Sequence, residues 1–264
     1  MSVRRTIKKT VYAFIYVLLL GGFCTLVILP FLPEKPQYVA PVVTQTFSPI
    51  KIENIVVLPH LTDPGPFGKT IDVVARIKNE NVRSGTGKYP VVLLVKDPSG
   101  ATIGSVEQVA YVLPGGVQYI AFIDVPVPSN KEFGTVEIQI PNNVSLEQLP
   151  DSARLPEFTV FLRERSSVAV GTQQIERQTG IVTNNSTFDW EKVEVTGVAL
   201  DEKGNIVGIG KTFVGKLLLG EQREFTITWP VPLSPTSRVI AIATTNIYSD
   251  ENIVHIIGDP SSLR

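Results

Sequence analysis

Apolar and polar residues alternate with a period of two along most of the chain beyond residue 48. This is the pattern of a β-strand that lies between a core and water. No window of about a dozen residues in this part has the period of an amphipathic helix. The pattern therefore predicts an all-β architecture, and the alternation is clearest in four segments, residues 71–78, 136–140, 158–163 and 224–229.

The N-terminal part has a different pattern, an unbroken run without charge from Val11 to Leu32. As an α-helix with a rise of about 1.5 Å per residue, this run reaches roughly 30 Å, the thickness of the hydrocarbon core of a bilayer. It predicts one transmembrane helix over residues 11–32. A cleaved signal peptide is the alternative, but the run is longer than a usual signal sequence and no A-x-A site follows it closely.

Basic residues precede this run, whereas the first charges after it, Glu34 and Lys35, cancel. The positive-inside rule then makes residues 1–10 a cytoplasmic tail and puts everything beyond Pro33 outside. The predicted location is the plasma membrane, with a single pass and the C-terminal domains extracytoplasmic. The residues that set this topology are Arg4, Arg5, Lys8 and Lys9.

Residues 33–47 contain prolines at positions 33, 36 and 41. Proline at this density favours an extended polyproline II conformation and prevents the helix from continuing. We expect a stem that holds the next domain away from the bilayer. The alternative is that part of this segment packs on that domain.

One phrase occurs twice in the chain: DPSGATIG begins at Asp97 and DEKGNIVG begins at Asp201. Other features match in the same order and with nearly the same spacing. Collinear matching along most of a domain indicates an internal repeat. The matched pairs are Asn79 with Asn184, Gly104 with Gly208, Leu113 with Leu218, and the phrase VPVPS with WPVPL.

The repeat predicts two tandem immunoglobulin-like β-sandwich domains over residues 48–150 and 151–256, followed by a tail over residues 257–264. A hundred or so residues suit a sandwich of about six to eight strands. In each copy, Asp-x-x-Gly is typical of a type I turn at the tip of a hairpin, in which Gly supplies the left-handed step. The Val-Pro-Val-Pro pair is expected to end a strand.

The second copy resembles the FxLYD domain family. The resemblance is carried by GIVTNNS from Gly180, VEVTGVALDEKGNIVGIG from Val193, and LLLGEQREFTI from Leu217, and it recurs more faintly in the first copy. Members of that family are immunoglobulin-like sandwiches of extracytoplasmic, often membrane-anchored bacterial proteins. The resemblance implies the same fold and location here, and the family has no catalytic residues to carry over.

Composition narrows the functional classes. The 24 Lys and Arg residues nearly balance the 25 Asp and Glu residues, so no basic field predicts nucleic acid as a partner. Cys24 is the single cysteine, which excludes an intrachain disulfide and any zinc site built on two or four cysteines. An extracytoplasmic protein without disulfides suits a bacterial envelope better than an animal cell surface.

The chemical motifs are weak. His60 and His255 have no G-x-S-x-G elbow to supply a nucleophile. The stretches GKT at 68–70 and GTGKY at 85–89 lack the earlier Gly of a phosphate-binding loop, and we expect both to be loops. Turn chemistry accounts for Asp97 and Asp201 better than calcium does. We predict no catalytic residue, no metal ligand and no cofactor, and hence no enzyme.

The best candidate for recognition is the loop NNSTFDW at 184–190, because loops on rigid sandwiches commonly carry binding and Trp is a favoured anchor. Its predicted partner-binding residues are Asn184, Asn185, Phe188 and Trp190. In the alternative interpretation, Trp190 begins the next strand and fills the core.

Together these patterns predict a non-catalytic single-pass membrane protein. Its two extracytoplasmic β-sandwich domains would serve protein–protein interaction or assembly of the cell envelope. The expected partners are the lipid bilayer and an envelope or membrane protein. The alternative is an extracytoplasmic receptor that binds a glycan or another soluble ligand through loop aromatics.

Overall fold

Residues 11–28 of the uncharged run lie on a single α-helix, α1, which spans Val3–Ile28 in a computed structural model. The structure describes residues 3–28, 47–59, 69–140, 144–170, 173–229 and 232–254. The chain divides into two compact units, Met1–Thr46 and Phe47–Arg264. Within the described residues, no helix combines the length and the apolar character needed to cross a membrane.

Several predicted features lie partly or wholly outside the described residues. These are the end of the predicted transmembrane run at 29–32, almost all of the stem at 33–47, both histidines, and the tail at 257–264.

The all-β prediction for the rest of the chain is confirmed, since thirteen strands in antiparallel sheets make up most of the described residues of the second unit. The strands are β1 Lys51–Pro59, β2 Lys69–Asn79, β3 Ser84–Lys96, β4 Thr102–Val112, β5 Gly116–Val127, β6 Thr135–Gln139, β7 Glu147–Gln148, β8 Phe158–Val170, β9 Gln173–Asn184, β10 Trp190–Leu200, β11 Ile206–Leu217, β12 Gln222–Trp229 and β13 Arg238–Thr244. A short 3-10 turn follows at Asp250–Asn252.

Strands β1–β7 form the first sandwich. One sheet has the order β1-β2-β5, and the other has the order β4-β3-β6 with the short β7 paired to β3. The alternating apolar side chains of β2 and β3 meet between these sheets, because period-two alternation turns them all to one face. Val73, Val91, Leu93 and Val95 are fully buried in this core.

Strands β8–β13 form the second sandwich, with sheets ordered β12-β9-β8 and β11-β10-β13. Its core contains Trp190, Val195, Leu217, Ile227 and Trp229. The strand order repeats that of the first sandwich: each strand from β1 to β6 has its counterpart seven strands later. The sequence repeat therefore corresponds to a repeat of strand order.

The repeated phrase forms the same hairpin tip in both sandwiches. The amide of Gly100 donates to the carbonyl of Asp97 at 2.9 Å, and the amide of Gly204 donates to that of Asp201 at 3.0 Å. Both glycines adopt the left-handed conformation, with φ of 86° and 84°, a region in which a side chain is strained.

The stretch GTGKY was expected to be a loop, and this expectation is wrong. Residues 85–89 lie inside β3 and pair with β4 and β7. Glycine is a poor strand former in isolation, but here a second segment of the chain approaches these glycines closely.

A third apolar cluster joins the two sandwiches. Val74 and Ala121 of sheet β1-β2-β5 pack against Val198 and Ile209 of sheet β11-β10-β13, and all four are at most 5% exposed. The two inner sheets are therefore covered on both faces. The unit is a stack of four sheets with two sandwich cores and one docking interface between them.

Candidate binding cleft between the two sandwiches

The loop at 184–190 is organised around the Asn184 side chain, which is fully buried. Its amide nitrogen donates to the carbonyls of Phe188 at 2.8 Å and Leu217 at 3.1 Å. Its oxygen accepts from the backbone amide and the hydroxyl of Ser186. Asn184 thus joins this loop to the neighbouring turn from inside the protein.

Trp190 begins β10 and is 3% exposed. Its indole nitrogen donates to the Ser186 hydroxyl at 2.7 Å, which satisfies the one polar group of a buried tryptophan. The position agrees with the alternative considered from the sequence, in which Trp190 starts the next strand and fills the core.

Asn185 and Phe188 are the two predicted loop residues that face solvent. The Asn185 amide donates to the Thr159 hydroxyl at 2.7 Å. Phe188 is 49% exposed and contacts Trp190 edge to face, with ring centroids 5.9 Å apart. Leu218 and Leu219 on the adjacent turn are also exposed, at 44% and 61%. We call Phe188, Leu218 and Leu219 the apolar tip.

The apolar tip is held in place by hydrogen bonds that the backbone amides of its own turn donate. The amide of Leu219 donates to the Asp189 carboxylate at 2.6 Å, and the amide of Leu218 donates to Glu221 at 2.8 Å. Together with the bonds of Asn184, they fix the loop at 184–190 and the adjacent turn, so the exposed side chains belong to ordered segments.

The residues predicted to set topology lie on α1. The side chains of Lys8 and Lys9 are exposed. Arg4 and Arg5 belong to the first turns of the same helix. These positions are compatible with the charge asymmetry noted in the sequence.

A half-open cleft of about 520 Å³ lies between the two sandwiches, beside their docking interface. Strands β4 and β5 form one wall, while β10, β11 and β13 form the other together with residues 245–252. Ligand sites of this size commonly lie between domains. No sequence pattern indicates this cleft, because one wall is the edge of the first sandwich, where β4 and β5 lie, and the other wall belongs to the second sandwich.

An ion pair lies on the β10–β11 side of the cleft. The Lys211 ammonium is 3.0 Å from the Glu194 carboxylate, and these side chains are 22% and 16% exposed. Across the cleft, the Tyr111 hydroxyl and the Thr244 hydroxyl are 2.7 Å apart. Burial, with a smaller contribution from the negative charge of Glu194, raises the pKa of Tyr111. Tyr111 is therefore a neutral phenol at ordinary pH.

Aromatic surface is also present in the cleft. Tyr119 from β5 and Phe213 from β11 line it, and Phe213 is 49% exposed. The ammonium of the exposed Lys192 lies 3.9 Å from the centre of the Phe213 ring, a cation–π contact.

A second contact between the sandwiches explains Gly87 of GTGKY. A side chain at Gly87 would approach the Cβ of Tyr248 to 2.7 Å. At Gly85 the nearest atom is the Val112 carbonyl oxygen of the same sandwich, at 2.1 Å, and the Tyr248 hydroxyl is 2.7 Å away. The Asn246 amide donates to the Gly87 carbonyl at 3.1 Å. Burial raises the pKa of Tyr248 to about 12. Glycine inside a strand signals such a close approach.

The docked strands contain consecutive apolar residues. Within the alternating segment 71–78, Val74 is apolar on the side that faces away from the core of its own sandwich, and Val198-Ala199 are likewise both apolar. Val73, Val74, Ala75, Val198 and Ala199 are all buried. Continuous apolar runs are typical of strands covered on both faces, but the longer run at 91–95 lies on β3, which takes no part in the docking cluster, so such a run does not by itself identify an inner sheet.

Among the residues that the structure describes, no three His, Cys, Asp or Glu side chains gather as a metal site requires. The cleft instead offers aromatic surface, hydroxyls, amides and one ion pair. Such an arrangement can bind a polar molecule by stacking and hydrogen bonding.

No protein-family model and no curated protein matches the chain. Among solved structures, the chain is similar to a transglutaminase of red sea bream at 11% sequence identity, with a TM-score of 0.22. The similarity covers 72% of this chain and 28% of the transglutaminase. At so low a TM-score the similarity carries no argument about fold or activity.

Proposed function

We propose that the chain is a non-catalytic, single-pass membrane protein of a bacterial envelope. Its two tandem sandwiches, immunoglobulin-like and related to the FxLYD family, would form one extracytoplasmic body for protein–protein interaction or envelope assembly. The N-terminal tail would be cytoplasmic.

The observation that carries this proposal is the contrast between the surfaces of the two units. In α1 every described side chain from Ile7 to Phe23 is exposed, although most are apolar. In the second unit, apolar side chains are buried in three clusters. An exposed apolar helix needs lipid or another apolar surface to cover it, and the uncharged run continues beyond Ile28 to Leu32.

Reporter fusions in a bacterial host test the topology. Alkaline phosphatase fused after Arg264 should be active, since it folds only outside the cytoplasm, and a fluorescent protein fused there and exported in the same unfolded way should be dark. Replacing Arg4, Arg5, Lys8 and Lys9 by Asn should lower the phosphatase activity, because the basic residues set the orientation. Fluorescence with an inactive phosphatase would refute the proposed orientation.

The same fusion separates an anchor from a cleaved signal peptide. A retained anchor predicts a full-length product that stays in the membrane pellet after carbonate extraction. A shorter product in the soluble fraction would favour cleavage instead.

The apolar tip is the surface that we propose for the envelope or membrane protein partner. Exposed apolar groups on an ordered base are typical of interaction sites. A photo-crosslinking residue at Phe188, in native membranes, should give a discrete adduct. The matched control is the same residue at Phe161, which is 65% exposed on β8. Equal labelling at both positions would contradict a specific role for the tip.

The alternative function, a receptor for a glycan or another soluble ligand, was predicted from loop aromatics. The observation that favours it is now the cleft rather than the loop, because Trp190 is buried while Tyr119 and Phe213 line a cavity.

A further inference from the structure

We propose that the cleft between the sandwiches binds a neutral saccharide of two or three rings. The rings would lie against Tyr111, Tyr119 and Phe213, and hydroxyl groups would bond to Gln108 and to the Glu194–Lys211 pair. This inference rests on the alternative function, the receptor for a glycan or another soluble ligand, and names its ligand class. It does not depend on the membrane anchor.

The size and position of the cavity support a small ligand. Its volume of about 520 Å³ lies within the range of sites that enclose small molecules. Both sandwiches contribute walls, and the buried cluster of Val74, Ala121, Val198 and Ile209 fixes one against the other. A site built on docked, rigid elements loses little freedom when a ligand binds.

The Glu194–Lys211 pair supplies adjacent acceptors and donors. One Glu194 oxygen is 3.0 Å from the Lys211 ammonium and accepts weakly from the Thr196 hydroxyl at 3.4 Å. A carboxylate accepts only and an ammonium donates only. Two neighbouring hydroxyls of a sugar can therefore meet both groups at once, one as donor and the other as acceptor.

The charges of the cleft disfavour an anionic ligand. Its lining contains three acids, Glu191, Glu194 and Glu251, and two bases, Lys192 and Lys211. Lys211 is paired with Glu194, and Lys192 lies over the Phe213 ring. The lining therefore has no positive field that would select a phosphate.

The aromatic groups give the cleft a preference for sugar rings over other polar molecules. A sugar presents C–H groups on its ring faces and hydroxyls at its edges, which matches an amphipathic aromatic lining. Lys192 is exposed, so a ligand can displace it from Phe213 without disturbing the core.

Saturation-transfer NMR and calorimetry on the full-length protein, in a detergent without a sugar headgroup, test the proposal. The probes are maltotriose, cellotriose and tri-N-acetylchitotriose, with inorganic phosphate as the ionic comparison. We expect saturable binding of at least one trisaccharide and none of phosphate. Binding of phosphate alone, or of no trisaccharide, would overturn the proposal.

Variants locate the site. Phe213→Ala should weaken trisaccharide binding by about tenfold or more, whereas the control Phe161→Ala, an exposed Phe on the outer sheet, should not. The double variant Glu194→Gln/Lys211→Gln removes both charges together, so that neither is left unpaired, and should weaken binding similarly. Its control is Glu224→Gln, which breaks an exposed pair with Arg163. Unchanged binding in Phe213→Ala and in the double variant would place the ligand elsewhere and refute the assignment.

Two sources of saccharide are separated by a second arm of the test. Purified insoluble cell-wall polymer is incubated with the wild type, with and without excess trisaccharide. Retention that the free sugar abolishes assigns the cleft to the polymer. Trisaccharide binding without retention on the polymer assigns it to free oligosaccharides.

Discussion

The two sandwiches have the same strand order but opposite docking faces. In the first, sheet β1-β2-β5 turns Val74 and Ala121 outward, and both are buried against the second sandwich. In the second, the corresponding sheet β8-β9-β12 carries Thr179 and Thr226 at the same paired positions, and Thr226 is exposed. At this pair of positions the docked face is apolar, and its counterpart carries two threonines.

The other pair of sheets shows the reverse. In the second sandwich, sheet β11-β10-β13 presents Val198, Ile209 and Ile240 to the interface. The paired positions on sheet β4-β3-β6 of the first sandwich are Leu94, Ser105 and Glu137. Ser105 is exposed, and Glu137 pairs with Lys96 near the surface.

The two copies share one strand order and hence one sandwich architecture. The side chains that point outward differ, and they determine which sheet docks. Because each sandwich uses a different sheet, the interface is of the head-to-tail kind, which extends indefinitely if the free faces also match. The threonine, serine and glutamate at these positions of the free faces disfavour such growth, since polar groups would lose water without gaining partners.

The largest expected effect comes from a charge at the docked face. Val74→Asp should lower the free energy of unfolding by at least about 3 kcal/mol, because an unpaired carboxylate would be buried. Thr179→Asp, at the equivalent position of the free face, should change it by about 0.5 kcal/mol or less. Urea unfolding followed by circular dichroism measures both.

Small-angle scattering shows which part of the molecule fails in Val74→Asp. Since Val74 points away from the core of its own sandwich, we expect both sandwiches to remain folded and the radius of gyration to increase. Equal losses of stability in Val74→Asp and Thr179→Asp would contradict the distinction between docked and free faces.

A second prediction concerns a feature that the copies share. Asn79 donates to the carbonyls of Ser84 at 2.7 Å and Leu113 at 2.9 Å, just as Asn184 donates to those of Phe188 and Leu217. Asn79→Ala and Asn184→Ala should each lower the free energy of unfolding by about 1–3 kcal/mol, because buried carbonyls lose their hydrogen-bond donors. Thermal and urea unfolding compare the two.

The control for this pair is Asn185→Ala, since the Asn185 side chain is exposed and donates to the Thr159 hydroxyl, while its backbone bond to Glu157 is kept in the variant. This substitution should leave the free energy of unfolding nearly unchanged. A large loss of stability from one of Asn79→Ala and Asn184→Ala and none from the other would show that the repeated asparagines do not have the same structural role.

The sequence predicted those parts of the fold that depend on local patterns. Alternation identified the strands, and the repeated Asp-x-x-Gly identified the hairpins at Asp97 and Asp201. The docking of the sandwiches depends on residues far apart in the chain, such as Val74 and Val198, so no local pattern predicts it. Gly87 inside β3 is a local feature that the contact with Tyr248 explains, whereas consecutive apolar residues occur on docked and undocked strands alike.

The candidate site was harder to predict for the same reason. The loop at 184–190 has the composition of a binding loop, but Asn184 and Trp190 are used inside the protein. Polar and aromatic residues support a fold as readily as they bind a ligand. The cleft combines Tyr119 with Glu194 and Phe213, and only the docked arrangement brings these residues together.

A third prediction uses a glycine that both copies repeat. A side chain at Gly208 would approach the Leu233 Cδ2 atom to 2.6 Å and the Ala199 Cβ atom to 3.2 Å, whereas at Gly104 the nearest atoms are 3.9 Å away. Gly208→Ala should lower the free energy of unfolding by about 1 kcal/mol. This is at the low end for an overpacked core, because the end of the Leu233 side chain can move. Gly104→Ala should be neutral or slightly stabilising.

Urea unfolding measures both variants. A loss of stability only in Gly208→Ala would show that close packing requires glycine at 208, whereas Gly104 has no such requirement. Equal costs would mean that the position requires glycine for a backbone reason common to both hairpins.

The smallest expected effect is a dependence on pH that the two copies share. Hydrogen bonds lower the pKa of Asp97, first from the Ser99 hydroxyl and then from the amides of Ala101 and Ser99. The pKa of Asp201 is lowered in the same way, first by the side chain and amide of Asn205 and then by the Lys203 amide. A carboxyl with a lowered pKa in the folded state stabilises the fold above its unfolded pKa near 3.8 and loses that contribution as pH falls through the folded value. Unfolding from about pH 6 down to pH 2 should therefore show a loss of stability below about pH 4, and Asp97→Asn and Asp201→Asn should each reduce this loss. Unequal reductions would mean that the two hairpin tips, identical in their backbone hydrogen bonds, differ in how strongly they hold the charged carboxylate.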